Sequence, residues 1–124
     1  FIYHEYHLNE RIASYSKPFI SLIHGLTMGG GIGVSIYARR RYAADNLVWA
    51  MPETAIGLFP DIGASYFLSR LGPIGMYLAL TGARLDAGSL QALGLIDDVI
   101  SLDNFNSLLP TLCELDLSQD PLKN

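Results

Sequence analysis

The chain has one cysteine, Cys113, so an internal disulfide is excluded, and it stands at no metal-ligand spacing with the three histidines. No metal site is expected. Cys113 falls in a helical apolar pattern with Leu108, Leu109, Leu112 and Leu115, which predicts a packing role rather than a reactive thiol. Positive charge is also scarce: 8 basic residues face 12 acidic ones, for a formal net charge of −4. Such a balance carries no electrostatic footprint for nucleic acid or an anionic lipid surface, and neither is an expected partner. No apolar run reaches the roughly 18 residues that a membrane-crossing helix needs. An initiating Met is missing, helical periodicity begins at Phe1, and Asp116 to Asn124 bring no terminating pattern. The sequence therefore reads as an excerpt of a longer protein, and the absence of a targeting segment carries no information.

What is present is core-forming material. Half of the 124 residues are apolar, enough for one domain with a buried core. Phe1, Leu8, Ile12 and Tyr15 form a helical stripe over residues 1–15, with Glu5 on the same face, where an acid needs either a cation or a polar pocket. Lys17-Pro18 ends that helix. Residues 19–23 predict a strand buried on both faces, and after the glycine run Ile32, Val34, Ile36 and Tyr37 continue as a helix toward Arg39, Arg40 and Arg41. Those cations would meet the helix C-terminus and form ordinary ion pairs. Residues 42–45 and 47–50 predict strands joined by a turn at Asp45-Asn46, with Tyr42 and Trp49 in the core. Helices are expected at 64–71, 74–81 and 87–93, each closed by glycine, then a strand at 96–100 and a helix from 103 to about 115. Alternating strands and helices predict an α/β fold.

Two features carry chemistry. Gly29-Gly30-Gly31, between a strand and a helix, serves either a close helix–strand contact or the approach of backbone to a ligand with no Cβ in the way, where the Gly30 N–H can face a developing oxyanion. No Gly-Lys-Ser/Thr follows, and Gly31-Ile32-Gly33 lacks the third glycine of a dinucleotide fingerprint, so a nucleotide-phosphate loop is excluded. Downstream, Glu53 and Asp61 stand eight residues apart in an otherwise uncharged segment punctuated by Pro52, Gly57, Pro60 and Gly63. Glu53, at a strand end in apolar company, suits acid–base or nucleophilic work. Asp61 suits either a partner in that chemistry or an N-cap for the helix at residue 64. His24 reads as a hydrogen-bonded structural residue rather than a base.

Together, His24-Gly25-Leu26-Thr27-Met28-Gly29-Gly30-Gly31 and Met51 through Asp61 resemble the enoyl-CoA hydratase/isomerase (crotonase) superfamily, most closely its 3-hydroxyisobutyryl-CoA hydrolase branch. Leu78 to Leu85 and Ala92 to Asp97 resemble the helices that follow in that family. The resemblance implies a crotonase-like ββα spiral, of which residues 1–124 are part of one acyl-CoA domain with N-terminal and C-terminal portions missing. It implies an acyl-CoA substrate, assembly into homo-oligomers, and no cofactor, coenzyme A being part of the substrate. The implied compartment is mitochondrial for a eukaryotic source and cytoplasmic for a bacterial one.

By position, Gly30 supplies one oxyanion N–H, while the second donor lies upstream of Phe1 in that family. Glu53 and Asp61 match its catalytic pair, and Glu5, 25 residues before Gly30, matches a substrate-contacting glutamate. Hydratases of the superfamily place a second glutamate where this chain has Gly33, which disfavours hydration. The implied activity is hydrolysis of the 3-hydroxyisobutyryl-CoA thioester in valine catabolism. A dienoyl-CoA isomerase or enoyl-CoA hydratase is the enzymatic alternative, and a non-catalytic acyl-CoA-binding subunit is the other.

Overall fold

The structure, a computed structural model, describes residues 1–115. The chain end at Asp116 to Asn124 lies outside the described residues. Helix α1 (Ile2–Ala13) leads to β1 (Ile20–Ile23), β2 (Leu26–Met28), the short helix α2 (Gly30–Gly33), β3 (Arg40–Ala44) and β4 (Val48–Ala50). A 3-10 turn at Glu53–Ile56 follows, then α3 (Ala64–Ser69), α4 (Pro73–Thr81), β5 (Leu85–Asp86), α5 (Ala87–Ala92), β6 (Asp98–Ile100) and α6 (Leu102–Glu114).

The strands form two three-stranded sheets, ordered β1-β3-β6 and β2-β4-β5. β1 runs parallel to β3 and β2 parallel to β4, so each pass of the chain lays one strand in each sheet before crossing back. That repetition is the expected stacked ββα turn, and the fold is a partial α/β core of crotonase type. Two turns hold the passes in step: Gly25, at φ 63°, turns the chain from β1 in one sheet to β2 in the other, and its N–H donates to Asn46 Oδ1 at 3.2 Å in the β3–β4 turn. A left-handed φ of this kind suits glycine.

The core lies between the sheets and the helices, around Ile32, Leu47, Met51, Leu78 and Leu90, all essentially without solvent contact. Trp49 is buried there as expected, with its ring edge-on to Phe67. Helix ends follow local chemistry. Pro73 opens α4 at a position whose N–H would be unpaired anyway, Gly82 closes it in the left-handed conformation, and Asp86 caps α5 by accepting from the Ser89 N–H at 2.7 Å.

Several expectations fail, each for a physical reason. β1 alternates half-buried and buried residues and hides Ser21, because α6 leaves one of its faces only partly covered. The helix after the glycines is four residues long, not a segment reaching the arginines. Arg40 and Arg41 instead open β3 and pair with Asp97 at 3.6 and 3.5 Å. On α1 only Ile12 of the apolar stripe is buried, while Phe1, Leu8 and Tyr15 are exposed. Cys113 is exposed, since α6 packs through Phe105. Tyr42 is half-buried, and exposed His24 lies edge-on to the Phe105 ring at 5.6 Å. The strands β2 and β5, of three and two residues, are too short to show a period of two in the sequence.

Candidate active site

Glu53 opens the 3-10 turn that follows β4, joined to the strand by buried Met51 and the cap residue Pro52. Its neighbourhood is fixed from outside by α4. The Thr54 hydroxyl donates to the Leu80 carbonyl at 3.2 Å, and Gly82 packs so closely on Pro52 that a Cβ there would lie 3.0 Å from the Pro52 Cα. The Glu53 side chain is turned inward, 7% exposed, and both carboxylate oxygens are buried without a hydrogen-bond partner. Burial pushes its pKa above the ordinary carboxylate range, its own backbone amide works against that, and the Asp61 charge adds to the rise. A buried carboxyl without partners is costly to keep, and it is the strongest chemical signal in the chain.

The glycines frame it. A Cβ on Gly29 would lie 4.0 Å from Glu53 Oε1, and one on Gly30 would lie 2.8 Å from Glu5 Oε1. The carboxylates of Glu53 and Glu5 therefore sit beside successive residues of the same turn. Gly30 is the first residue of α2, so its N–H has no acceptor within the helix, and the residue is exposed. Glu5 itself is half-buried. An apolar cleft of about 510 Å³ opens here, lined by Phe1, His4, Glu5, Leu8, Gly30 and Val34 among others.

Asp61 is half-buried and does not cap α3, whose N-cap residue is Gly63. Its carboxylate accepts instead from the Tyr6 hydroxyl at 3.0 Å. The loop that presents it is held firmly: the Ala64 N–H donates to the Asp61 carbonyl at 2.8 Å and the Tyr37 hydroxyl to the Ile62 carbonyl at 2.6 Å. The four residues read from the sequence, Glu5, Gly30, Glu53 and Asp61, are thus brought to one region around the triglycine turn.

Three neighbours escaped sequence reading: Tyr6, Asn9 and Tyr37. Asn9 is 5% exposed with both side-chain amide atoms unpaired, and it lines a cavity of about 220 Å³ with Tyr6, Tyr37, Ile62 and Gly63. It also closes on Gly33, where a Cβ would lie 2.9 Å from Asn9 Oδ1 and 3.1 Å from Ile62 Cγ2. A legible signal existed for Asn9, which stands four residues after Glu5 and so shares its helix face. Among the described residues no group of three or more His, Cys, Asp or Glu is placed to hold a metal ion, and no helix is long and apolar enough to cross a membrane.

The sequence pattern of the Enoyl-CoA hydratase/isomerase family matches residues 1–124. The chain is 52% identical over 118 residues to 3-hydroxyisobutyryl-CoA hydrolase 1 of Arabidopsis thaliana, a match covering 94% of this chain and 31% of that protein. To the human protein named 3-hydroxyisobutyryl-CoA hydrolase, mitochondrial, it is 45% identical over 116 residues, covering 93% of this chain and 30% of that one. An enoyl-CoA hydratase crystal structure from Rhodobacter sphaeroides 2.4.1 superposes with a TM-score of 0.83 at 42% identity, covering 87% of this chain and 32% of that one. The chain spans about a third of the length of the curated relatives it matches.

Proposed function

Because the chain belongs to the enoyl-CoA hydratase/isomerase family, we propose that residues 1–124 are part of one acyl-CoA domain that hydrolyses 3-hydroxyisobutyryl-CoA to the free acid and coenzyme A. The observation that carries this reading is the buried, unpartnered carboxylate of Glu53 beside the triglycine turn. In the proposed reaction the acyl chain enters the apolar cleft and the thioester oxygen gains charge against the Gly30 N–H. One such donor is worth about 3 kcal/mol of transition-state stabilisation.

Glu53 acts in one of two ways. It attacks the carbonyl, expelling coenzyme A thiolate and leaving a mixed anhydride that water then cleaves, or it takes the proton of a water that attacks directly. In both cases water supplies the oxygen and hydrogen that end on the acid, and the thiolate leaves with a proton. Asp61 orients the water and shares protons with Glu53, and Glu5 accepts from the substrate's 3-hydroxyl. The proposal involves no electron transfer and no cofactor, and it carries the family's assembly into homo-oligomers as an expectation for light scattering to test. For a eukaryotic source it places the protein in mitochondria, as the names of its vertebrate relatives state for them.

Hydration is disfavoured by the packing at Gly33, since Asn9 and Ile62 leave no room there for the side chain of a second acid. The test uses the complete protein and free-thiol release. Glu53→Gln should lower thioester hydrolysis by about 10²- to 10⁴-fold, and crotonyl-CoA should be hydrated slowly at best. Undiminished hydrolysis by the variant, or rapid hydration of crotonyl-CoA, overturns the reading.

A further inference from the structure

The Tyr6 hydroxyl meets Asp61 Oδ2 at 3.0 Å across 55 residues of sequence, although Tyr6 is 40% exposed and water was open to it as a partner. The backbone around Asp61 is already pinned by Ala64 and Tyr37, and Ile62 is buried at φ 49°, a conformation a β-branched residue adopts only when its surroundings impose it. What that leaves free is the Asp61 side chain. The bond from Tyr6 restrains it.

Asp61 is met from two elements: Tyr6, on α1, bonds its carboxylate, and Glu53, on the 3-10 turn, lies within reach of its charge. Tyr6 gives Asp61 a hydrogen bond, while Glu53 accepts none from a side chain. One acid of the pair is held in place by a side chain and the other is not.

We propose that Tyr6 is a positioning residue for the hydrolysis, its hydroxyl holding the Asp61 carboxylate in one rotamer beside Glu53. The inference rests on the hydrolase reading and adds to it a residue on α1 that acts through Asp61 rather than on the substrate. It also explains why one helix turn carries Glu5 and Tyr6 together: one side chain goes to the substrate hydroxyl and the next to the acid.

The experiment measures kcat and KM in the complete protein for wild type, Tyr6→Phe and Glu53→Gln. Tyr6→Phe removes a single oxygen from a part-exposed side chain, and its melting curve provides the check that it folds. Expected is a fall in kcat of about tenfold or more with KM within about twofold, a split that a merely loosened fold would not give. An unchanged kcat, or a rise in KM alone, overturns the inference. If Glu53→Gln hydrolyses at the wild-type rate, the hydrolase reading fails instead, so the two failures are distinguishable.

Discussion

The hydroxyl of Tyr37 donates to the backbone carbonyl of Ile62 at 2.6 Å and so holds a buried isoleucine in the left-handed region, φ 49°, next to Asp61. The strain of that conformation is about 1–3 kcal/mol. Losing the hydroxyl leaves a buried carbonyl unpaired, which costs about 1–3 kcal/mol. Tyr37→Phe is therefore expected to lower stability by that amount in urea unfolding and to reduce hydrolysis more than the stability loss explains. Ile62→Gly relieves the strain but forfeits a side chain whose loss costs about 2–5 kcal/mol, so burial outweighs strain and the variant should also be destabilised. A more stable Ile62→Gly chain would show that the side chain is not packed as described.

Gly33→Ala tests the packing that separates this site from a two-acid one. Alanine gains about 1 kcal/mol over glycine in a helix interior, but here its Cβ would press on Asn9 and Ile62, both buried, and overpacking costs about 1–3 kcal/mol. The net expectation is a loss of stability that Asn9→Ala, introduced alongside, relieves. Additive losses in the double variant would contradict the contact. Gly33→Glu should acquire no crotonyl-CoA hydration, because Asn9 and Ile62 leave its side chain no space.

How much was legible follows from range. Glu53, Asp61 and the glycines stood out because acids and bare backbone in apolar company are unusual, and local punctuation placed α4 and α5 within a residue or so of their positions. Residues 34–37 read as helix because their apolar spacing fits one, yet the chain must leave α2 quickly to pair Arg40 with Ile20 in the parallel sheet. Tyr6 and Tyr37 were invisible for a different reason. Their acceptors lie 55 and 25 residues away, and no local pattern announces a bond set by tertiary packing.

Glu53 also predicts a pH dependence of stability. Burial raises its folded pKa, so between the ordinary glutamate value and the raised one the folded chain holds a proton that the unfolded chain has lost. Its contribution is fully present below that window and declines as pH rises through it. Glutamine has no such ionisation, and a buried neutral amide is less costly than a buried charge. Glu53→Gln should accordingly be more stable than wild type at about pH 8 and lose that advantage at about pH 4. Urea midpoints at the two pH values decide it, and a wild type that is the more stable at the higher pH would mean that the carboxylate is solvated.

The closeness of Glu5 to Gly30 separates a folding role for that glycine from a chemical one. Gly30 has an ordinary φ, and the Cβ of Gly30→Ala would meet the far end of a flexible, half-buried side chain rather than backbone. Stability should hold or rise by about 0.4–1 kcal/mol, the usual gain when alanine replaces glycine in a conformation it can adopt. Displacing the Glu5 carboxylate should instead weaken the grip on a substrate hydroxyl. The readout is the ratio of kcat/KM for 3-hydroxyisobutyryl-CoA to that for isobutyryl-CoA, which lacks the hydroxyl. Glu5→Ala should lower this ratio about tenfold or more, since a hydrogen bond to a charged acceptor is worth about 1.5–3 kcal/mol, and Gly30→Ala should move it the same way while also slowing both substrates through the altered amide. If Glu5→Ala slows both substrates equally, the carboxylate above Gly30 has no contact with the hydroxyl, and its nearness to the glycine serves the fold of the turn alone.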